Sequence, residues 1–525
     1  MIKTVIKFFV FSGLLLPILS GCENIKTNST HQDVSQSSIR NGKVLAEKYC
    51  QSCHLLPDPS LLDAKTWEMG VLPAMGPRLG IFHYGSENYP SYVNDPKLDL
   101  NYYPKKPLLS FEDWQNIIDY YTSVSPDSLP KQDRKHAIQM DITVFSAMKS
   151  EYRYTSPGVS YVKINSGDSL HPLVISDVLK KDIYFFNRQL KLSDSISTRG
   201  PIVDMNFSNN EILACNIGIL NPNNGKSGKA ERLTLSATEK LKNDNNVLFD
   251  SLRRPVQITP ADLNNDGKTD YLVCEFGNLM GSLSWMENSG NGKFKKHELR
   301  TVPGAIKAYI NDYNHDGNPD VWALFAQGEE GIFLFTNKGG GNFETKEVLR
   351  FPSVYGSSYF EMDDFNKDGY PDIVYTCGDN ADFSIILKPY HGVYVFLNDG
   401  KNNFTQKYFY PINGCYKAIA RDFDGDGDLD IATISFFADY EHQPEEGFVY
   451  LEQKGDFNFI PHSLPEAEAG HWLTMDAGDY DGDGKIDLVL GNFSVRPSAT
   501  HSEFDWKKGP VFLLLKNQSQ RPASK

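Results

Sequence analysis

Cys50-Gln51-Ser52-Cys53-His54 sets two thiols three residues apart with an imidazole directly after the second. That spacing lets two sulfurs and one axial nitrogen reach a single porphyrin from one turn of chain, which is what covalent attachment of a c-type haem requires. Zinc is the competing chemistry, and it needs two more Cys or His ligands at close spacing. The next cysteine is Cys215, far outside the segment, so the residues favour one haem c held by Cys50 and Cys53 with His54 as proximal ligand. The sixth ligand is expected from the chain just downstream. Met75, in Pro73-Ala74-Met75-Gly76-Pro77, is the choice, on a loop expected to be extended by its prolines and glycine; Met69 and His83 compete. A thioether opposite an imidazole raises the reduction potential and fills the sixth position, favouring electron transfer over oxygen chemistry. The plainer reading of Met75 is core filler.

A second chemistry recurs further along. The pattern D-x-[DN]-x-D-G-x-x-D occurs five times, with starts 50, 52, 58 and 57 residues apart. Positions 1, 3, 5 and 9 supply side-chain oxygens, glycine at 6 permits a sharp turn, and the carbonyl at 7 completes a cage of hard ligands for Ca²⁺. The residues are Asp262, Asn264, Asp266 and Asp270; Asp312, Asn314, Asp316 and Asp320; Asp364, Asn366, Asp368 and Asp372; Asp422, Asp424, Asp426 and Asp430; and Asp479, Asp481, Asp483 and Asp487. An EF-hand would set such a loop between helices, whereas here the flanks read as strands. Seventeen carboxylates in five loops would repel one another without a cation. Five Ca²⁺ would bring the formal net charge of −15 to about −5. The acidity is therefore a metal-binding property, and it excludes nucleic acid as a partner.

Helices must position the first set. Leu45 and Tyr49, four residues apart, lie on an amphipathic segment from Ile39 to Tyr49 that leads into the Cys/His turn. Ser110 and Asp113 form an S-x-x-D start signal, after which Trp114, Ile117, Ile118 and Tyr121 share one helical face. Helix, haem turn, long loop and helix together resemble a class I cytochrome c of minimal size over Ser38 to Val124. A Tyr- and Pro-rich run from Tyr84 to Tyr103 is expected to wrap the haem edge.

Strands must position the second set. Each acidic loop is flanked by short apolar strands, such as Val256 to Thr259 and Tyr271 to Cys274. Two more strands follow, such as Ser282 to Met286 and Phe294 to Leu299. A repeat of about 50 residues is one four-stranded propeller blade. Two units without the acidic pattern, Val159 to Ser195 and Ile202 to Asp250, bring the expected total to seven. The repeats resemble the FG-GAP or VCBS family, as in the head of integrin alpha chains, over Val159 to Asn517. The last unit lacks a fourth strand, and Met140 to Phe145 is expected to pair beside Val511 to Lys516 and close the ring. Cys215, Cys274 and Cys377 fall at matching places in successive repeats, so they and Cys415 read as buried thiols rather than a disulfide framework.

At the start, Lys3 and Lys7 precede an apolar run from Phe8 to Leu19, then Leu19-Ser20-Gly21-Cys22. This has the layout of a secretion signal and is too short to span a bilayer. The last four residues are similar to the lipobox of bacterial lipoproteins, which implies lipid on Cys22 and a membrane anchor on the exported side. The organisation expected is signal 1–22, tether 23–37, cytochrome c domain 38–125, linker 126–137, all-β propeller 138–517 and tail 518–525. The tether, about 15 residues of coil, would reach roughly 20 Å.

Three long loops on the face opposite the acidic loops, Asp379 to His391, Ala438 to Glu446 and Ser494 to Lys508, are candidates for partner recognition. They carry Asp379, Asn380, Asp382, His391, Asp439, Tyr440, His442, His501, Asp505 and Trp506. The function read from all this is electron transfer, with the propeller docking a redox partner. A small-molecule oxidoreductase and a glycan-binding adhesin are the rivals, and neither comes with an identifiable catalytic acid and base.

Overall fold

The computed structural model describes residues 34–208, 211–234, 242–381, 385–495 and 500–520. Cys22, the signal segment, most of the tether and Asp382 lie outside them.

The N-terminal unit is framed by α1 (Gln36–Tyr49) and α2 (Phe111–Val124). The Ser35 hydroxyl accepts the Ser38 N–H at the start of α1, so the helix begins before Ile39 and takes the last two residues assigned to the tether. The Ser110 hydroxyl accepts the Asp113 N–H at the start of α2, as its signal predicts. Helix α2 buries Trp114, Ile117, Ile118 and Tyr121. The two helices meet at Gly42, where a Cβ would fall 1.8 Å from the Asn116 carbonyl oxygen, so only glycine allows the approach.

Between them the chain around Met75 is helical, not the extended loop expected. Ala64–Thr66, a wide turn at Trp67–Val71, Leu72–Met75 and a tight turn at Gly76–Leu79 run on without a break. Pro73 and Pro77 each sit in the first turn of their own segment, where a missing N–H leaves no gap in the ladder. Trp67, Val71, Leu72 and Leu79 from this run join Ile39, Ala46, Trp114 and Ile117 in one apolar cluster.

The remainder is a ring of seven four-stranded antiparallel sheets. Blades 1 to 6 take residues 159–197, 202–252, 255–300, 305–350, 357–411 and 415–462 in order. Blade 7 combines Trp472–Gly478, Asp487–Asn492 and Phe512–Asn517 with Phe145–Lys149 from far upstream. The ring therefore closes as expected but through a later segment: Phe145 pairs with Asn517 and Lys149 with Leu513. Phe145 decides the register, since its ring packs edge-on against Phe423 and Tyr450 at 5.4 and 5.6 Å in the seam between blades 6 and 7. Part of the expected strand lies beside blade 6 instead, where the Ile142 N–H donates to the Ser463 carbonyl at 3.4 Å, next to a parallel bridge between Gln139 and His462. All six described cysteines are unpaired, and the four in the propeller are buried.

The acidic loops join first to second strands on one face of the ring, and the helical unit sits on the other. Tyr390 of blade 5 donates its hydroxyl to the Leu61 carbonyl at 3.1 Å, and Val354 and Ile386 complete the helical cluster. Asn224 of blade 2 donates to Asp95 at 3.1 Å. Blades 2 and 5 are across the ring from each other, so the unit spans one end of the central channel.

Segment 126–137, expected to be a linker, is strapped to the ring. The Gln132 amide donates to the Lys388 and His391 carbonyls at 3.1 and 2.9 Å, and Arg134 donates to the Pro411 carbonyl at 2.9 Å. Arg134 also pairs with the buried Glu446, which accepts the N–H groups of Asn413 and Asp439 as well. Burial pushes the Glu446 carboxyl up to about 7, while Arg134 and the N–H donors pull it back.

Arg134→Ala leaves that carboxylate buried without its cation, a loss of about 3–5 kcal/mol. The loss should be larger at pH 8 than at pH 5.5, because without Arg134 the carboxyl rises further and low pH relieves it by protonation. Urea unfolding of parent and variant at both pH values reads the difference.

Candidate functional site

Helix α1 runs directly into a tight turn at Cys50–Ser52, so Cys50, Cys53 and His54 leave the end of one helix together. Behind them the chain is fixed to α2 and its neighbours. Tyr121 donates to the Pro57 carbonyl at 3.1 Å, and Ser125 and the Trp67 indole both donate to the Pro59 carbonyl, at 2.8 and 2.9 Å. His54 Nδ1 lies 2.9 Å from the Leu55 carbonyl oxygen, which makes Nδ1 the donor and leaves Nε2 with the free lone pair. Burial, helped by Cys53, pushes the Cys50 thiol up to about 11, so it is neutral at physiological pH and unsuited to thiolate chemistry.

Of the three candidate sixth ligands, Met75 is half-buried and packs on the same apolar cluster as Cys50. Met69 is 71% exposed, and the exposed His83 ring lies against Phe111. Tyr102 adds a residue the sequence did not single out. Its hydroxyl is buried, the Arg78 guanidinium lies 4.4 Å from its ring centroid, and burial pushes the phenol up to about 12 with Arg78 pulling it back. A buried donor and a cation beside the Cys53 side call for an acceptor, which a porphyrin propionate provides. The residues present therefore fit a covalently held tetrapyrrole.

The five acidic loops share one backbone. Position 4 is left-handed in each (Asn265, His315, Lys367, Gly425 and Gly482), and so is the glycine at position 6. The turn brings oxygens of positions 1, 3 and 5 together. Those of Asp422, Asp424 and Asp426 lie within 4.8 Å of one another, as do those of Asp479, Asp481 and Asp483. In the other three loops the position-3 side chain is Asn264, Asn314 or Asn366, whose oxygen accepts the N–H of residue 5 at 2.9 to 3.1 Å. Position 9 is placed differently from the rest. Asp270, Asp372, Asp430 and Asp487 are buried with each carboxylate oxygen accepting an N–H of the blade; Asp430, for example, takes those of Phe423 and Gln453 and the Tyr450 hydroxyl. Burial pushes the position-9 carboxyls of Asp372 and Asp487 up to about 6 and that of Asp430 to about 7, with loop carboxylates adding to it. Ca²⁺ ligation through positions 1, 3 and 5 fits this chemistry, with position 9 locking the loop to its blade.

Several side chains of the long loops opposite are engaged within the molecule. His391 is fully buried and held neutral by burial beside Lys388. Tyr440 and Trp506 pack on each other at 4.6 Å, and Trp506 stacks on His471 at 4.4 Å. His442 pairs with Asp439, and Asp505 with Lys508, near the surface. Sequence reading passed over a different polar set. Asp204, Lys307, Tyr359 and Lys417 line the central channel from equivalent places in the first strands of blades 2, 4, 5 and 6. The available signal was polar residues two apart in strands expected to be apolar, such as Lys307 and Tyr309.

The FG-GAP-like repeat profile matches residues 262–323 and 312–375, which cover the third blade from its acidic loop onward, the fourth and part of the fifth. A Plasmodium falciparum (isolate 3D7) protein called T-cell immunomodulatory protein homolog is 27% identical over 222 residues, 34% of this chain and 29% of its own length. The match thus spans less than a third of that relative. Among solved structures, the N-terminal domain of Nup159 aligns over 73% of this chain and 98% of its own at 11% identity and TM-score 0.43. The Neurospora crassa Pan2 WD40 domain aligns over 74% and 99% at 12% and 0.43. FG-GAP repeats and a seven-bladed propeller are what the chain contains.

Thiol exposure gives a direct check on the unmodified polypeptide. Cys53 is exposed and Cys50 half-buried, so a thiol reagent at pH 7.5 should modify Cys53 at least tenfold faster than Cys50. The four propeller thiols should react only on unfolding. Peptide mapping by mass spectrometry over time reads the order.

Proposed function

We propose that this chain is an exported, membrane-anchored electron-transfer protein, with one covalent haem c on its helical unit and a calcium-stiffened propeller beneath it. The observation that carries the reading is the Cys50/Cys53/His54 cluster at the end of α1, with Nδ1 engaged and Nε2 free. Haem bound there would supply a one-electron ferrous/ferric couple. Cys50 and Cys53 would hold the group, and His54 Nε2 and Met75 would be the donors to its iron. Arg78 and Tyr102 offset carboxylate charge. Lipid on Cys22 would keep the assembly at a membrane, where a redox partner protein exchanges electrons with it.

A second reading is an oxidoreductase in which the propeller oxidises a small molecule and passes electrons upward. It is favoured by one feature, the polar channel whose end the helical unit spans. Substrate-dependent reduction of the purified haem protein separates it from the carrier.

Redox titration followed by visible spectra tests the main reading. Reversible reduction is expected, with His54→Ala abolishing the spectrum and Met75→Leu lowering the potential. Correctly exported protein that is colourless, or whose iron cannot be reduced reversibly, overturns it. Calcium is tested separately by chelation. At free Ca²⁺ a hundredfold above Kd each occupied site adds about 2.7 kcal/mol, so EGTA should lower the propeller's melting temperature by several degrees and re-added Ca²⁺ should restore it.

A further inference from the structure

The first strands of all seven blades line a central channel of about 700 Å³. Its lining runs toward the acidic-loop end, since it includes late residues of those strands such as Phe207 and Ile310, and Asn165 just past the first strand of blade 1. The other end lies under the helical unit.

Charges inside are not balanced pair by pair. Lys163 is matched by Asp476 at 3.2 Å and Arg421 by Glu361 at 3.0 Å. Lys307 and Lys417 have no carboxylate within ion-pair distance among the described residues. Lys307 lies over the rings of Tyr309 and Tyr359, 5.0 and 5.9 Å from their centroids. Lys417 lies 4.6 Å from the same Tyr359 centroid and donates to the Met475 carbonyl at 2.8 Å. Two ammonium groups thus share one aromatic ring, and each feels the other's charge. Burial, with Lys307 pushing the same way, holds the Lys417 ammonium down to about 8 against the pull of Asp476 and Glu361. The remaining acid nearby is Asp204, whose carboxyl burial raises despite both lysines, and which accepts the Ile258 N–H at 3.3 Å.

The neutral polar groups are already engaged. The Tyr309 and Tyr359 hydroxyls lie 3.0 Å apart, Tyr161 donates to the Met205 carbonyl, and both ends of the Gln257 amide bond Ala308. The channel lining sets three lysines, Lys163, Lys307 and Lys417, against two carboxylates, Asp204 and Asp476, so positive charge is in excess beside two partly buried ammoniums, a costly arrangement unless an anion supplies the balance.

We propose that the central channel is a binding site for a small anion, held between Lys307 and Lys417 against the Tyr359 ring. The volume admits a short mono- or dicarboxylate as readily as an inorganic oxyanion. Both sources share the same recognition chemistry: oxygens that accept from two ammonium groups, with room for a short apolar body against the aromatic wall. The site is separate from the helical unit's cluster, so it stands whether or not haem is present.

Isothermal titration of the full chain, Ca²⁺ present and in buffer free of small carboxylates and oxyanions, tests this with three probes: acetate, succinate and inorganic phosphate. Saturable binding of at least one is expected, and Lys307→Gln and Lys417→Gln should each weaken it at least tenfold. Lys163→Gln, whose partner is Asp476, should change it less than threefold. A carboxylate-only response assigns the site to organic acids, and a phosphate response to oxyanions. Should the variants fold poorly, reductive methylation of the parent gives the readout, with Lys307 and Lys417 protected by the probe and surface lysines not. No saturable binding by any probe, equal binding by both variants, or no protection overturns the proposal.

Discussion

A ring of separate blades needs something to tie its two ends of chain together, and here one strand does it. Phe145–Lys149 is the outer strand of blade 7, and it is made from chain that precedes blade 1. Without it blade 7 would have three strands and Phe512–Asn517 would be its outer edge, leaving the contacts of blade 1 with blade 7, such as the Ser494 N–H on the Pro157 carbonyl at 2.9 Å, to hold the two together. The seam is also a packing joint. Phe145 fills the space between blades 6 and 7, so hydrogen bonding and apolar burial agree on one register. Everything placed by blade geometry, from the acidic loops to the channel, inherits its position from that closure.

Inside each acidic blade the same economy recurs on a smaller scale. Residue 9 of the loop is an aspartate whose oxygens are occupied by backbone donors of its own loop and of the third strand. Asp372 takes the N–H groups of Phe365 and Asn398, and Asp487 those of Tyr480 and Asn517. A buried carboxylate is tolerable only with such donors. The arrangement ties a polar turn to an apolar sheet, and it leaves positions 1, 3 and 5 in the turn, where loop N–H groups and a few nearby lysines meet part of their charge. Lys268 contacts Asp266, and Lys516 contacts Asp481.

The parts legible in the sequence were those whose signal is local. Five aspartate loops at blade-length intervals gave the propeller, and the phase of apolar residues around Trp114 gave α2 and its buried face. The parts that were not legible depend on distant chain. Met140 to Phe145 alternates apolar residues as well as Phe145 to Lys149 does, and only the gap between Phe423 and Tyr450 selects the second. Pro73 and Pro77 read as breakers, whereas helical segments that restart at each of them bury Trp67 and Leu72. Tyr440 and Trp506 looked available on long loops, but His471, from the start of blade 7, takes up the Trp506 face. Lys307 and Lys417 sit 110 residues apart, and no short-range pattern could bring them to one ring.

The strap formed by Gln132, Arg134 and His136 has a mechanical consequence. Any tension on the chain ahead of residue 34 travels through the helical unit and down this segment before it reaches the strand that shuts the ring. Arg134 on Glu446, and Tyr410 on the His136 carbonyl, pass that load sideways into blades 5 and 6, where it is shared across complete sheets. The closing strand, which would peel most readily if pulled from its Phe145 end, is thereby relieved of it.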